Sequence, residues 1–225
     1  VDRERRTPLH IALDYRTNIE VIKLLLKPEL LTMVDREGRT PLHRALSEKL
    51  NQEVIELLLK PELLTMIDYN RNTPLHIALS EKYNIDVIKL LLKPELLTMV
   101  DKGKRTPLHI ALFSRNDIEI IRLLIKPEIL TMVDGESRTP LHTAALWDSN
   151  IEIIKLLITP EALTMTDEDK KTPLNYTLWE GRDIEIIKLL ITPATLTMTN
   201  RYMDTPLHSA LYRNLDTAVI NLLIT

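Results

Sequence analysis

Histidine is the residue type whose spacing in this chain first suggests chemistry. Six histidines stand at one position of a 33-residue period (43 − 10 = 33), and Asn175 takes that position once. They are His10, His43, His76, His109, His142 and His208. A row of imidazoles could bind metal ions or act as general bases, but zinc ligands must lie about 2.0–2.1 Å from a shared ion. Because consecutive histidines belong to successive repeats, we predict no metal site and a structural role instead.

The remaining side chains offer little for catalysis. The chain has no cysteine, which excludes a disulfide framework and a thiolate metal site. It has four glycines, too few for the glycine-rich loop that cradles phosphates. No serine or threonine has a candidate general base outside the histidine row. We therefore predict that this segment is not an enzyme and binds no cofactor.

Composition narrows the classes of partner. Charges of both signs are mixed along the chain, with a formal net charge of −3, whereas nucleic-acid binding requires a basic face. No apolar run approaches the roughly 18 residues of a membrane span. The absence of cysteine fits an intracellular, cytoplasmic location. We expect a monomer that binds a protein or peptide, and no nucleic acid, membrane or metal.

The tripeptide Thr-Pro-Leu indicates the elements that position these residues. It begins at Thr7, Thr40, Thr73, Thr106, Thr139, Thr172 and Thr205. A single repeat cannot bury its apolar face alone, so the repeats must stack on their neighbours. We predict a single array over 1–225, with repeats 2–34, 35–67, 68–100, 101–133, 134–166, 167–199 and 200–225, the last truncated. Because the chain opens in mid-repeat, we expect a longer array or a larger protein.

Within one repeat, the pattern predicts a helix, a turn, a second helix and a connector. Thr40 is a good N-cap, and Pro41 suits the first position of the first helix. Asn51 caps the second helix, and every repeat has Asn or Asp at this position. Pro61 ends the second helix, and a further helical turn is expected after it. The second helix is apolar on most sides, which predicts burial between its neighbours.

These motifs resemble the ankyrin repeat. The period, the Thr-Pro-Leu-His tetrapeptide, the following alanine and the Leu-Leu-Leu of the second helix match that family over essentially the whole chain. The resemblance implies a stack of antiparallel helix pairs, with turns at one edge and a groove that binds protein partners. It also implies that each histidine bonds backbone in the adjacent turn, and the amide of Asn175 can still bond backbone.

The chain departs from the family pattern in its turns. The glycine usual between the paired helices is absent, and the one before Thr-Pro survives only as Gly38, with Gly103 and Gly135 displaced. Glycine permits the positive φ angles of tight hairpins. The predicted fold is therefore all-α, an ankyrin-type helix-turn-helix solenoid with irregular, glycine-poor turns and little or no strand.

The residue before each Thr-Pro is basic in five of seven repeats. The seven residues are Arg6, Arg39, Asn72, Arg105, Arg138, Lys171 and Asp204. This row could bind an acidic partner, or it could pair with Asp and Glu of the same turns. The negative net charge favours pairing within the turns.

The aromatic residues indicate where a partner binds. The position four residues after the histidine is polar in three repeats and large and apolar in the next four, as Asp14, Ser47, Ser80, Phe113, Leu146, Trp179 and Tyr212. Local packing could explain the large residues, but three repeats complete their core without them. We therefore favour a concave binding surface. The predicted contact residues are Phe113, Leu146, Trp147, Tyr176, Trp179, Tyr202 and Tyr212.

The predicted function is a protein-interaction scaffold that binds a partner on this aromatic C-terminal half. One alternative is a targeting or packing module of a larger effector, channel or enzyme whose other domains lie outside this chain. A second alternative is a structural module that associates with itself.

Overall fold

The computed structural model describes residues 1–147 and 150–224. All regular elements within these residues are helices, and they include no strand. The chain forms two compact units, Val1–Ile110 and Ala111–Thr225, here called the N-terminal unit and the C-terminal unit.

Each repeat contains a first helix whose first residue is the proline of Thr-Pro-Leu. The first helices are Pro8–Asp14, Pro41–Ser47, Pro74–Ser80, Pro107–Phe113, Pro140–Trp147, Pro173–Trp179 and Pro206–Tyr212. Thr40 shows why they begin there, since its backbone is extended and its hydroxyl accepts a hydrogen bond from the N–H of His43. A threonine N-cap followed by proline satisfies or removes the free N–H groups of the first turn.

The second helices and the connectors complete each repeat. The second helices are Ile19–Leu24, Gln52–Leu58, Ile85–Leu91, Ile118–Leu124, Ile151–Leu157, Ile184–Leu190 and Thr217–Ile224. The predicted further turn is present as the short helices Pro28–Leu31, Pro160–Thr164 and Pro193–Thr197 and the 3₁₀ turns Pro61–Leu63, Pro94–Thr98 and Pro127–Ile129. Each connector begins at a proline, where the second helix cannot continue.

The core consists of aliphatic residues from both helices of each repeat. In the second repeat Leu42 and Leu46 of the first helix and Ile55 of the second helix are fully buried. Each such side chain contributes about 1.5–3 kcal/mol to folding. Leu57 and Leu59 are only half-buried, so the prediction that the second helix is buried on most sides is wrong for its outer face.

The histidines link each repeat to the next. The Nδ1 atom of His43 accepts from the N–H of Thr40 at 3.3 Å, so it carries no proton, and the protonated Nε2 donates to the Asn72 carbonyl at 3.1 Å. His10, His76 and His142 make the same pair of contacts, to their own threonine and to the carbonyl 29 residues on. The predicted structural role is therefore confirmed for these four histidines.

Burial keeps these imidazoles neutral. Desolvation lowers the pKa of His43 and of His142 to about 4, although hydrogen bonds to the Asn72 and Lys171 carbonyls act in the opposite direction. Burial also lowers the pKa of His10 and of His76. A second ring proton, on Nδ1, would remove the acceptor of the threonine N–H in addition to charging a buried group.

The turns before Thr-Pro are poor in glycine and contain no strand within the described residues, as predicted. They are nevertheless alike from repeat to repeat. The N–H of Asp35 bonds the Arg39 carbonyl at 3.0 Å, and the Asp35 carboxylate accepts from the N–H groups of Glu37 and Arg39. The residue two before each threonine has φ between 57° and 75°, as Arg5, Gly38, Arg71, Lys104, Ser137, Lys170 and Met203.

The turn between the paired helices also has one left-handed residue. Its φ is positive at Arg16, Lys49, Lys82, Arg115, Gly181 and Asn214. Gly181 supplies the expected glycine in the sixth repeat, so the inference that this glycine is absent is wrong there. At the five other positions just named, a charged or amide side chain adopts the conformation that glycine adopts at no steric cost.

The basic residues before Thr-Pro pair within their own turns. Their nitrogen-to-oxygen distances are 2.8 Å for Arg6–Asp2, 3.3 Å for Arg39–Asp35, 2.7 Å for Arg105–Asp101, 2.9 Å for Arg138–Asp134 and 3.2 Å for Lys171–Asp169. The aspartates of four of these pairs also accept backbone hydrogen bonds of the turn. The pairing interpretation is therefore confirmed, and the basic row is part of the turn structure.

Candidate functional site

The seven predicted contact residues all lie in the C-terminal unit. Exposed fractions are 49% for Phe113, 38% for Trp147, 52% for Trp179, 63% for Tyr202 and 67% for Tyr212, whereas Leu146 and Tyr176 are half-buried. Six of the seven lie on first helices, and the helices Pro140–Trp147, Pro173–Trp179 and Pro206–Tyr212 pack side by side. The first-helix face of this unit therefore presents large apolar side chains to solvent.

Phe113 and Trp147 form one pair within this face. Their ring centroids lie 5.2 Å apart with an interplanar angle of 73°, an edge-to-face contact. The Trp147 carbonyl also accepts a hydrogen bond from the Nε of Arg115 at 2.8 Å. The two rings support each other while both stay exposed, so the pair offers a preformed apolar contact.

Five of the predicted residues line a surface cavity of about 410 Å³. They are Leu146, Tyr176, Trp179, Tyr202 and Tyr212. Phe113 and Trp147 are not part of its lining, so the structure brings the seven together as a pair and a cavity. A cavity of this size falls within the range that admits a small ligand or one or two side chains of a partner.

Tyr176 is the fixed wall of the cavity. Its hydroxyl donates to the Asp167 carboxylate at 2.6 Å, and its ring lies edge-on to His142. Burial and the bond to Asp167 raise the pKa of Tyr176 above its usual value. The hydroxyl is thus engaged in the fold, which leaves the ring as the part that can contact a ligand.

Three of the four rings of the cavity have a cation of the chain over them, and for Tyr176 it is Lys171, whose Nζ lies 5.8 Å from the ring centre. The guanidinium of Arg213 lies 5.1 Å from the centre of the Trp179 ring, and that of Arg201 lies 4.7 Å from the centre of the Tyr202 ring. Such contacts stabilise by about 0.5–1 kcal/mol at exposed sites. They hold both rings in place, and they occupy positions that a cationic ligand would use.

Several polar residues of the cavity were not predicted from sequence. Asn200, Asp204 and Ser209 belong to its lining, and so does Asn175. The sequence shows Asn175 as the break in the histidine row, and its amide, which can still bond backbone, favours a structural role. That interpretation is confirmed for the Asn175 Oδ1 atom, which accepts from the Thr172 N–H at 2.9 Å. The Nδ2 atom is buried and has no hydrogen-bond partner.

Within residues 1–147 and 150–224, no group of three or more His, Cys, Asp or Glu residues is arranged to hold a metal ion. None of the helices in that part of the chain has the length and hydropathy needed to cross a bilayer.

Comparison with known proteins places this architecture in a family. A family model described as ankyrin repeats (3 copies) matches residues 1–64, 33–101, 62–132, 115–200 and 141–225. The structure is similar to the ankyrin repeat domain of Bcl-3, described as a unique member of the IkappaB protein family. That likeness has a TM-score of 0.71 at 22% identity and covers 97% of this chain and 98% of the Bcl-3 domain, so it concerns the fold alone.

No curated protein matches the chain in sequence. Ankyrin repeats are in general protein–protein interaction modules, and the fold is typically a non-enzymatic scaffold. The recurring Thr-Pro-Leu-His caps, the paired helices and the matches over both units agree with one another, and the chain belongs to the ankyrin repeat family.

Proposed function

We propose that this chain is a scaffold that binds a partner protein or peptide on the first-helix face of its C-terminal unit. The observation that supports it is the exposure of large rings that the core does not use. Trp179 is 52% exposed and Tyr212 is 67% exposed, whereas the core residues of the same helices are buried. Single exposed apolar residues are common on proteins, but a contiguous group of them is typical of an interaction site.

The energetics of such a surface follow from its rings. Tryptophan and tyrosine, like arginine, are enriched at interface positions whose truncation costs about 2 kcal/mol or more. Phe113, Trp147 and Trp179 are already held by ring or cation contacts, so little side-chain entropy is lost when a partner covers them. We expect recognition by a preformed surface with little change in the backbone.

The test uses a partner recovered by affinity pull-down and then purified. Trp147→Ala and Trp179→Ala should each weaken its binding at least tenfold, or about 1.4 kcal/mol, when measured by calorimetry. The melting temperature should change little, because neither ring belongs to the buried core.

Ser80→Ala is the matched control, since Ser80 occupies the same helix position in the N-terminal unit and is exposed. Asp14→Ala is a poorer control for stability, because the Asp14 carboxylate contacts Arg6 and Arg44 at 3.0 and 2.6 Å. Normal binding combined with early melting of both tryptophan variants would show that the rings are packing residues. Light scattering over a concentration series separates partner binding from self-association.

A further inference from the structure

Asn175 reproduces only one of the two hydrogen bonds that histidine makes at this position of the repeat. In His142 the Nδ1 atom accepts from the Thr139 N–H at 3.1 Å, and the Nε2 atom bonds the Lys171 carbonyl at 3.0 Å. In Asn175 the Oδ1 atom takes over the first contact, accepting from the N–H and the hydroxyl of Thr172 at 2.9 and 3.0 Å. With Oδ1 in the place of Nδ1, the Nδ2 atom stands where the ring has carbon Cδ2, one bond short of Nε2.

The substitution leaves a buried donor on a residue of the cavity wall. Asn175 is 4% exposed, and its Nδ2 atom has no hydrogen-bond partner. A buried amide N–H without an acceptor destabilises the fold, so a ligand that supplies the acceptor recovers free energy. The carbonyl at the position of the Lys171 carbonyl belongs here to Asp204, and Asp204 also lines the cavity.

The charges around the cavity argue for a neutral ligand. Cations of the chain already lie over three of the four aromatic rings of the lining, Tyr176, Trp179 and Tyr202, so a cationic ligand would meet like charges there. An anion would meet the carboxylates of Glu180 and Asp204, which line the cavity together with a single lysine. A neutral group that both accepts and donates hydrogen bonds fits the Asn175 donor and the acceptors of Asp204.

We propose that this cavity is a subsite for a carboxamide side chain, glutamine or asparagine, of the bound partner. The carboxamide oxygen accepts from Nδ2 of Asn175, and the carboxamide NH₂ donates to Asp204. A side chain is the source because the donor is buried, so the ligand must reach past the exposed rings. This inference rests on the proposed function, since it names the chemistry of one part of the partner.

The experiment titrates isotope-labelled protein with blocked amino acids and follows the side-chain NH₂ resonances of Asn175 by NMR. The probe is N-acetyl-glutamine N-methylamide, and its binding should be saturable with a Kd of about 1–10 mM. The blocked forms of alanine, glutamate and lysine should bind at least tenfold more weakly. Equal binding of blocked alanine, stronger binding of a charged form, or no response of the Asn175 resonances to any probe overturns the inference.

Two variants provide controls. Asn175→His restores the residue of the other repeats, fills the space beside Asp204 and should abolish glutamine binding while the melting temperature stays the same or rises. His76→Asn creates the same amide in the N-terminal unit, where Ser80 stands in place of Trp179, and should not bind the probe. Undiminished probe binding by Asn175→His would contradict the assignment of the donor.

The outcomes also separate this inference from the proposed function. Trp147 lies outside the cavity lining, so Trp147→Ala tests the partner surface without touching the subsite. Loss of partner binding in Trp147→Ala, with no glutamine binding in the parent chain, would overturn the subsite alone. Glutamine binding in the parent chain together with full partner binding by both tryptophan variants would overturn the proposed surface alone.

Discussion

The N-terminal and C-terminal units place different chemistry on the same helical frame. At the outer position of the first helix, Asp14 of the N-terminal unit is ion-paired with two arginines, and the Ser47 hydroxyl donates to the His43 carbonyl at 2.9 Å. At the same position of the C-terminal unit, Trp179 and Tyr212 expose more than half of their side chains. At this position, therefore, Asp14 and Ser47 have polar partners within the N-terminal unit, whereas Trp179 and Tyr212 of the C-terminal unit leave apolar surface uncovered.

The histidine position shows the same contrast. His10, His43 and His76 of the N-terminal unit are buried and bridge to the next turn. In the C-terminal unit His142 keeps that bridge, Asn175 lacks the atom that makes it, and His208 is exposed. The difference teaches that the repeat tolerates change where one helix faces solvent or the next turn, as long as the threonine caps and the aliphatic core remain.

Among the tests of this comparison, lowering the pH should have the largest effect on the free energy of unfolding. The pKa values of His43 and His142 are lowered by folding, so their contribution to stability is complete above about pH 6.5 and is lost as pH falls toward about 4. Each such histidine contributes up to about 1.4 kcal/mol per pH unit in that window. His43→Asn should flatten the pH dependence of urea unfolding, and Asn175→His should steepen it.

Urea unfolding of the parent chain and of these two variants between pH 7.5 and 4 provides the measurement. If all three show the same slope, burial of the imidazoles does not set the acid sensitivity, and carboxylates of the turns must account for it.

Truncation of the bridge should be the next largest effect. His76→Ala removes the threonine contact and the bond to the Arg105 carbonyl at 3.2 Å, which should cost about 1–3 kcal/mol in the free energy of unfolding. His208→Ala should cost less, because His208 is exposed. Chemical denaturation measures the free energy of unfolding of both variants. Equal losses of stability would contradict the contrast between buried and exposed histidines of the row.

The smallest effect on stability is expected when an aromatic residue is placed at this helix position in the N-terminal unit. Ser80 is exposed at the end of its helix, so Ser80→Trp should change the free energy of unfolding by no more than about 0.5 kcal/mol. A larger loss, measured by the same denaturation, would mean that an aromatic residue at this position needs the surroundings found around Trp179.

The local features of the fold were predictable from sequence because each depends on neighbouring residues. Thr40 and Pro41 define the helix start by themselves, and Asn51 does the same for the second helix. The positive φ of Arg71 was not predictable, since its side chain gives no sign of it. There the turn is held by the Asp68 carboxylate, which accepts from the N–H groups of Asn70 and Asn72.

The candidate site was predictable only in part. Exposure of Trp179 and Tyr212 follows from a position that Ser80 fills in another repeat. The cavity could not be predicted from these positions. It depends on the hydrogen bond from Tyr176 to Asp167, nine residues earlier, and on which of the two histidine contacts Asn175 reproduces. Residue types at one position cannot reveal an atom that is left without a partner in three dimensions.

The asparagine at position 175 has a consequence at the level of the genetic code. Histidine and asparagine codons differ in their first base alone, so a single nucleotide change converts a repeat that seals its contact with the next turn into one that offers a buried donor. The threonine cap survives the exchange, because Oδ1 of Asn175 keeps the contact to Thr172. A gene built from duplicated repeats can therefore acquire or erase such an opening in one step, repeat by repeat, without rebuilding the helices around it.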